Sequence, residues 1–324
     1  MIYNQKHPRN LGKILAFAWI CSPFFCFGQA NLPLGAVINK SGTNVTGVTF
    51  RVWAPNATGV AVRGDFNGWN ETAMTKDNAT GYWSASVASA RPNQEYKYFL
   101  RWAGNTAGTW KQDPRAVWVR NGNTVIYDHS AFDWGNVVRP SIPVSQQVMY
   151  EMHIGSFYDP NPSDGRPGTF DDAILRLDYL QRLGVNVLAV MPVNEFGGDY
   201  SWGYNPEHVF AIESAYGGPD GLKRFVQAAH QRGMKVQIDV VHNHYNPPGD
   251  GLWDFDGPSN LYFYTDGRSY TPWGSRPDYD KAEVRRYIQD NIKLLLDEFR
   301  VDGFRWDSPQ NILGYDTTQT GANP

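Results

Sequence analysis

Late in the sequence, residues 301–312 read VDGFRWDSPQNI. Strand side chains alternate with period two, so in a strand Arg305 and Asp307 point to the same side. A carboxylate kept ionised by a guanidinium at a strand end is a candidate nucleophile. Upstream, DVVHNHY places Asp239, His242, Asn243 and His244 at the end of another apolar run, and NEFGGDYSWGYNPEH supplies Tyr200, Trp202 and Tyr204. Converging acid, imidazole, guanidinium and aromatic faces suit a polyhydroxylated ligand, because polar groups bind hydroxyls and rings stack on sugar faces. In that reading His244 donates to a hydroxyl. Other readings stay open for single residues: Asp239 as a buried acid paired with Arg305, Tyr204 as core packing, Glu195 as loop scaffolding. Asp239 with His242 and His244 at strand spacing is a thin ligand set for zinc, and no metal is assigned. The sequence has no G-x-S-x-G elbow, P-loop or zinc-protease helix motif.

These residues need elements to carry them. After Val148, strand-like stretches (VMYEMHI, VNVLAVMP, MKVQIDVV, VDGFRWD) alternate with helical ones. Thr169 caps FDDAILRLDYLQRL, where Phe170, Ile174, Leu177 and Leu180 share a face and Gly184 ends the run. PDGLKRFVQAAHQR opens at Pro219 and closes at Gly233. KAEVRRYIQDNIKLLLDEF carries a stripe of Val284, Ile288, Ile292, Leu295 and Phe299. Long crossovers between strands imply a parallel sheet buried by helices. No G-x-G-x-x-G follows the first strand, which favours a (β/α)₈ TIM barrel over a dinucleotide-binding sheet, with only the first half, about four βα units, present. Between about Ala36 and Asp133 the rhythm differs: short strands such as GVTFRVWAP and EYKYFLRW, punctuated by Gly, Pro and Asn, predict an immunoglobulin-like all-β sandwich. The expected division is a leader over 1–30, the sandwich over 31–135, a Pro-containing linker over 136–147 and the half-barrel over 148–324.

The formal charge of −3 over 324 residues gives no field that would draw nucleic acid or an anionic membrane. Lys6, Arg9 and Lys13 precede ILAFAWICSPFFCF and then GQA. That order is a secretory signal peptide with cleavage after Ala30, and it predicts an exported, periplasmic or extracellular protein. Cys21 and Cys26 both lie in this leader, so the mature chain would hold no disulfide and must rely on its apolar cores.

DVVHNH and GFRWD resemble the first and second short sequence regions of the α-amylase family, glycoside hydrolase family 13. The stretch from MPVNEFGG to HNH is similar to that family's second and third barrel segments, most of all in glycogen-branching and debranching members. FRVWAPNATGVAVRGDFNGWN and YKYFLRW resemble their accessory domain, carbohydrate-binding module family 48. The resemblance implies a glycosidase or branching-type transferase acting on α-glucan, without a cofactor, through retaining cleavage. It makes Asp307 the nucleophile and Arg305 its charge partner. Asp239 and His244 then hold sugar hydroxyls and Tyr204 stacks on the sugar, with Trp202 and Asn243 beside them. Asn243 is a calcium position in some amylases, but branching-type members lack that ion and none is assigned. In the sandwich, Trp69, Lys97 and Trp110 match glycan-binding positions of some relatives. The family's general acid, a glutamate after the fifth strand, has no counterpart beyond SPQNI. The expectation is therefore a C-terminally truncated chain with negligible turnover by itself; the alternative is a catalytically silent α-glucan-binding protein. The loop after DVVHNH offers Trp253, Tyr262, Tyr264 and Trp273 as cleft walls, with a share of them expected in loop core.

Overall fold

The computed structural model describes residues 33–246 and 251–313; the leader expected over residues 1–30, with both cysteines, lies outside them. Ten strands build the first half: β1 (Gly35–Ser41), β2 (Asn44–Trp53), β3 (Ala57–Gly64), β4 (Thr72–Ala73), β5 (Thr75–Asp77), β6 (Tyr82–Val87), β7 (Glu95–Trp102), β8 (Asn105–Lys111), β9 (Val119–Arg120) and β10 (Asn123–Val125). They form two antiparallel sheets, β1-β2-β6-β5 and β4-β3-β7-β10-β9, with β8 also paired to β7. Period-two alternation along β2 turns Val48, Phe50 and Val52 inward, and the Phe50 ring lies 5.1 Å from Phe66 and 4.9 Å from Tyr96. Tyr96 and Tyr98 both donate to Asp113 Oδ2, at 2.6 and 3.0 Å. Burial pushes that carboxyl up, and the two hydroxyls offset part of the cost of enclosing it.

The second half contains β11 (Met149–Met152), α1 (Ile154–Phe157), α2 (Phe170–Ile174), α3 (Leu177–Arg182), β12 (Val187–Val190), β13 (Asn194–Phe196), β14 (Pro206–Ile212), α4 (Gly218–Gln231), β15 (Lys235–Val240), β16 (Tyr270–Thr271), β17 (Gly274–Ser275), α5 (Ala282–Asp297), β18 (Gly303–Trp306) and α6 (Gln310–Leu313). The sheet order β11-β12-β15-β18 follows the chain, all parallel. A doubly wound sheet would place its first strand inside the order, so this is the run of consecutive strands in a (β/α)₈ barrel. Leu188, Val190, Val236, Ile238 and Val240 pack on the helices against Phe170, Leu177, Phe225 and Leu295. The alternate residues Glu151, Ala189, Gln237, Asp239 and Arg305 line the other face, around a cavity of about 180 Å³.

The segment expected as one helix after Thr169 is two. Thr169 does form the capping box with Asp172, but Leu175 and Arg176 bond to the carbonyls of Asp172 and Ala173, three residues back, which tightens the chain and separates α2 from α3. The buried face is accordingly Phe170, Ala173, Leu177 and Leu180, with Ile174 only half-buried. The β13–β14 hairpin lies inside what the sequence presented as an aromatic loop.

The sandwich core continues into the second half, where Tyr245, Phe255, Tyr262, Phe263, Val284 and Tyr287 join it. Polar contacts frame this junction: Arg115 to Asp290 at 2.9 Å, Tyr287 Oη to the Pro114 carbonyl at 2.9 Å, and the Asn56 amide to Asp256 at 2.8 Å. Tyr262 and Trp253, offered by the sequence as cleft walls, are turned into this core, where Tyr262 meets Trp53 edge-on at 5.7 Å. Tyr264 is buried as well, and Trp273 stays half-exposed.

Candidate active site

Parallel pairing of β15 with β18 places Asp239 opposite Arg305. Arg305 Nη1 donates to Asp239 Oδ2 at 2.5 Å and to Asp307 Oδ1 at 3.1 Å. Asp307 follows the last residue of β18, and its backbone N–H is fixed on the Val240 carbonyl at 3.0 Å. Its second carboxylate oxygen accepts from Asn243 Nδ2 at 2.9 Å, and the same amide nitrogen reaches the Asp307 carbonyl at 3.0 Å. Tyr204 comes in from the loop before β14, and its hydroxyl donates to Asp239 Oδ2 at 2.6 Å. His244 sits between Asn243 Oδ1 at 2.5 Å and the Tyr204 carbonyl at 2.7 Å. Arg305, Asp307, Asn243, His244, Tyr204 and Asp239 thus form one closed hydrogen-bonded ring. Both nitrogens of His244 lie within hydrogen-bond distance of protein oxygens in this arrangement.

Burial sets the electrostatics. It pushes the Asp239 carboxyl up, against the pull of the Tyr204 hydroxyl and the Arg305 charge. Asp239 Oδ1 is buried without a partner in the protein. Burial likewise pushes the His244 imidazole below its ordinary value, against the pull of the Tyr204 carbonyl and the Asp307 carboxylate. Burial would lower the Arg305 pKa, but the Asp239 charge and hydrogen bond carry it upward on balance.

The remaining expected residues lie apart from this ring. His242 turns the other way, with Nδ1 2.9 Å from Tyr245 Oη and its ring 5.6 Å from that of Trp306. It therefore shares no ligand position with His244, and among the described residues no cluster of metal-ligating side chains occurs. Trp202 is exposed and lines a separate cavity with His153, Tyr200 and Tyr216. In the sandwich, Trp69 and Trp110 meet edge to face at 6.1 Å. Lys97 shares the outward face of β7 with Phe99, which pairs with Trp110, so the three candidates occupy one surface rather than the core. Trp273, offered by the sequence as a cleft wall, packs its ring 5.7 Å from His244. One feature had no local sequence signal: the aromatic loop is pinned by His153 and Tyr216, which meet at the Ser201 carbonyl at 2.8 and 3.1 Å.

Comparison with known proteins places these features. The family model of carbohydrate-binding module 48, the isoamylase N-terminal domain, matches residues 33–116, and that of the alpha amylase catalytic domain matches residues 151–248. A 1,4-alpha-glucan branching enzyme, GlgB, from Pseudoalteromonas atlantica is 33% identical over 288 residues, covering 85% of this chain and 39% of the relative. The chain belongs to the α-amylase family. A second member, a malto-oligosyltrehalose trehalohydrolase from Saccharolobus solfataricus, is 33% identical over 275 residues, 82% of this chain and 45% of its own. The chain therefore spans less than half the length of these α-amylase relatives. Among solved structures, a Bacillus subtilis type I pullulanase complexed with maltose superposes with a TM-score of 0.73 at 26% identity, over 85% of this chain and 43% of the pullulanase.

Glu195, considered from sequence as scaffolding, ties the start of the aromatic loop to Ser214, accepting from its N–H at 3.0 Å and its hydroxyl at 3.1 Å. Burial and the neighbouring Glu213 push its carboxyl up to about 8, and burial raises Glu213 to about 7. A folded-state pKa above the unfolded value of about 4.5 means that the stabilising protonated form is fully present below that pH. Stability from these groups is then lost as pH rises through about 7 to 8. Glu195→Gln keeps an acceptor for Ser214 and removes the ionisation. It is expected to raise the melting temperature at pH 9 by about 2–4 °C relative to the parent, and to leave it unchanged at pH 4, in parallel thermal melts.

Proposed function

We propose that this chain supplies the nucleophile side of a retaining α-glucan-cleaving site. The carrying observation is the Asp307 carboxylate, whose two oxygens are held by Arg305 and Asn243 beside the Tyr204 ring and the unpartnered oxygen of Asp239. An Asp307 oxygen attacks the anomeric carbon while the bond to the leaving oxygen breaks. The electron pair goes to that oxygen, which takes a proton from a general acid. The resulting glycosyl ester is opened by water or by a glucan hydroxyl, and two inversions give retention. Arg305 orients Asp307 through its hydrogen bond to Oδ1, Asp239 Oδ1 accepts from a sugar hydroxyl, and Tyr204 offers its ring to the sugar face.

Among the described residues no carboxyl group is assigned the part of the acid, and Asp239 is committed to Tyr204 and Arg305. Without a general acid the first step slows by about 10²–10⁴-fold. The names of the relatives support an α-glucan as the ligand. We favour water as the acceptor, because the leader-like residues 1–30 support export, and an exported enzyme meets polysaccharide to degrade rather than glycogen to build.

A second reading, a silent α-glucan-binding protein, draws on the Trp69–Trp110 pair on the outer face of the sandwich. Calorimetric titration with maltoheptaose separates the two. The first reading expects Tyr204→Ala to weaken binding by about tenfold, the loss of one stacked ring. If Trp110→Ala abolishes binding and Tyr204→Ala leaves it untouched, the second reading holds. Export is tested by N-terminal sequencing of protein recovered outside the cytoplasm: a start at Asn31 is expected, and an intact Met1 would contradict it.

A further inference from the structure

His153 follows the last residue of β11, one step beyond the Met152–Val190–Ile238 row of the sheet. It therefore leaves the sheet at the level of Asp239 and Arg305. Its imidazole turns to the aromatic loop: Nε2 lies 2.8 Å from the Ser201 carbonyl and 2.8 Å from Tyr216 Oη, which is itself 3.1 Å from the same carbonyl. Nδ1 lies 2.9 Å from Ser156 Oγ. A carbonyl only accepts, so Nε2–H and the Tyr216 hydroxyl both point at Ser201, and Nδ1 accepts from Ser156. Every polar atom of this triangle is satisfied in that one tautomer. Tyr216 is buried with its ring 6.1 Å from Phe170 and 5.8 Å from Phe196, which makes the anchor rigid. Gly155 leaves the space for it, since a Cβ there would meet Tyr216 Cε1 at 2.9 Å and His153 Cε1 at 3.1 Å.

Ser201 in turn organises the residues that follow it. Its hydroxyl oxygen accepts from the Gly203 N–H at 3.0 Å and is bonded to Asn205 Oδ1. Gly203 has a φ of +85°, and a Cβ there would meet the Pro192 carbonyl at 2.6 Å, so only glycine lets the loop lie directly on the chain leaving β12. Tyr204 is held inside this turn, with its phenol 2.6 Å from Asp239 Oδ2. We propose that His153 is a positioning residue for Tyr204: by holding the Ser201 carbonyl it sets where the Tyr204 ring stands over the sugar. Both of its nitrogens are committed to the protein, so it acts through the loop and not on the ligand. The imidazole suits the task because it is a rigid plate with nitrogens on opposite sides, spanning Ser156 after β11 and Ser201 in the loop. The end of β11 is thereby tied, through the loop, to Asp239 at the end of β15.

The consequence for binding rests on the α-glucan reading of the site; the positioning itself rests on hydrogen-bond geometry. Two substitutions separate the Nε2 contact from the bulk of the ring. His153→Gln sets an amide nitrogen near the place of Nε2 and keeps the bond to Ser201, whereas His153→Asn reaches only the place of Nδ1 and loses it. The first readout needs no sugar. In carbon-13 NMR of the full chain labelled at tyrosine Cζ, the Tyr204 resonance, assigned with Tyr204→Phe, is expected to move in His153→Asn and to return in His153→Gln. The second is calorimetric titration with maltoheptaose, in which His153→Asn is expected to weaken binding about fivefold, the worth of one hydrogen bond, and His153→Gln by less than about twofold. Added to Tyr204→Ala, His153→Asn is expected to cost less than about twofold, because its effect passes through the missing ring. A Tyr204 resonance unmoved in folded His153→Asn, or an undiminished loss in the Tyr204→Ala background, overturns the inference. If the parent binds no maltoheptaose, the α-glucan reading fails instead and the resonance alone decides. If circular dichroism shows that His153→Asn does not fold, nitrogen NMR of the parent decides: a His153 ring protonated at Nε2 supports the inference, and one protonated at Nδ1 alone overturns it.

Discussion

One guanidinium nitrogen serves two carboxylates, and the site is arranged around that sharing. Arg305 Nη1 is bonded at once to Asp239 and Asp307. Asp239 is nearly sealed from solvent, and the guanidinium with the Tyr204 hydroxyl is what makes a charge there tolerable. Asp307 lies at the exposed side of the same cation, so the interaction that stabilises the buried acid also orients the open one. The register of β15 against β18 makes this possible: a slip by one residue would send Arg305 into the helix layer and leave Asp239 without a partner.

The two halves of the molecule converge on the same strand end. Tyr245, one residue beyond His244, belongs to the core that joins the sandwich to the loop around Phe255 and Tyr262. Its hydroxyl holds His242, whose carbonyl in turn accepts from Tyr279 at 2.7 Å. The residues of DVVHNHY thus alternate between a joint apolar core and the polar ring, and the sandwich is part of what fixes the site. On the opposite flank the pinned aromatic loop delivers both the Tyr204 phenol and the Tyr204 carbonyl, two separate contacts made by one residue.

The strands of the second half were legible because each is a short, mostly apolar stretch rich in Val and Ile or aromatics that alternates with helical runs, the rhythm of a parallel sheet covered by helices. The same pattern brought Arg305, Asp307 and Asp239 to attention. What stayed hidden depends on contacts distant in sequence. The Asn243–Asp307 bond exists only once β15 and β18 are neighbours. The division of 170–182 into α2 and α3 reflects three-residue hydrogen bonds that no residue type announces. Trp253 and Tyr262 carry the same aromatic signal as Trp273, yet they face the sandwich, and composition cannot say which core a ring will join. The pairing that makes 194–212 a hairpin was obscured by the glycine-rich turn inside it.

The central claim is that Asp307 bonds covalently to an anomeric carbon. A glycosyl fluoride tests it without a general acid, because fluoride leaves unprotonated. After incubation of the chain with α-maltotriosyl fluoride, peptide mass mapping is expected to find one maltotriosyl group on Asp307, and none in Asp307→Asn. An unmodified Asp307, or an adduct on another side chain, would contradict the account.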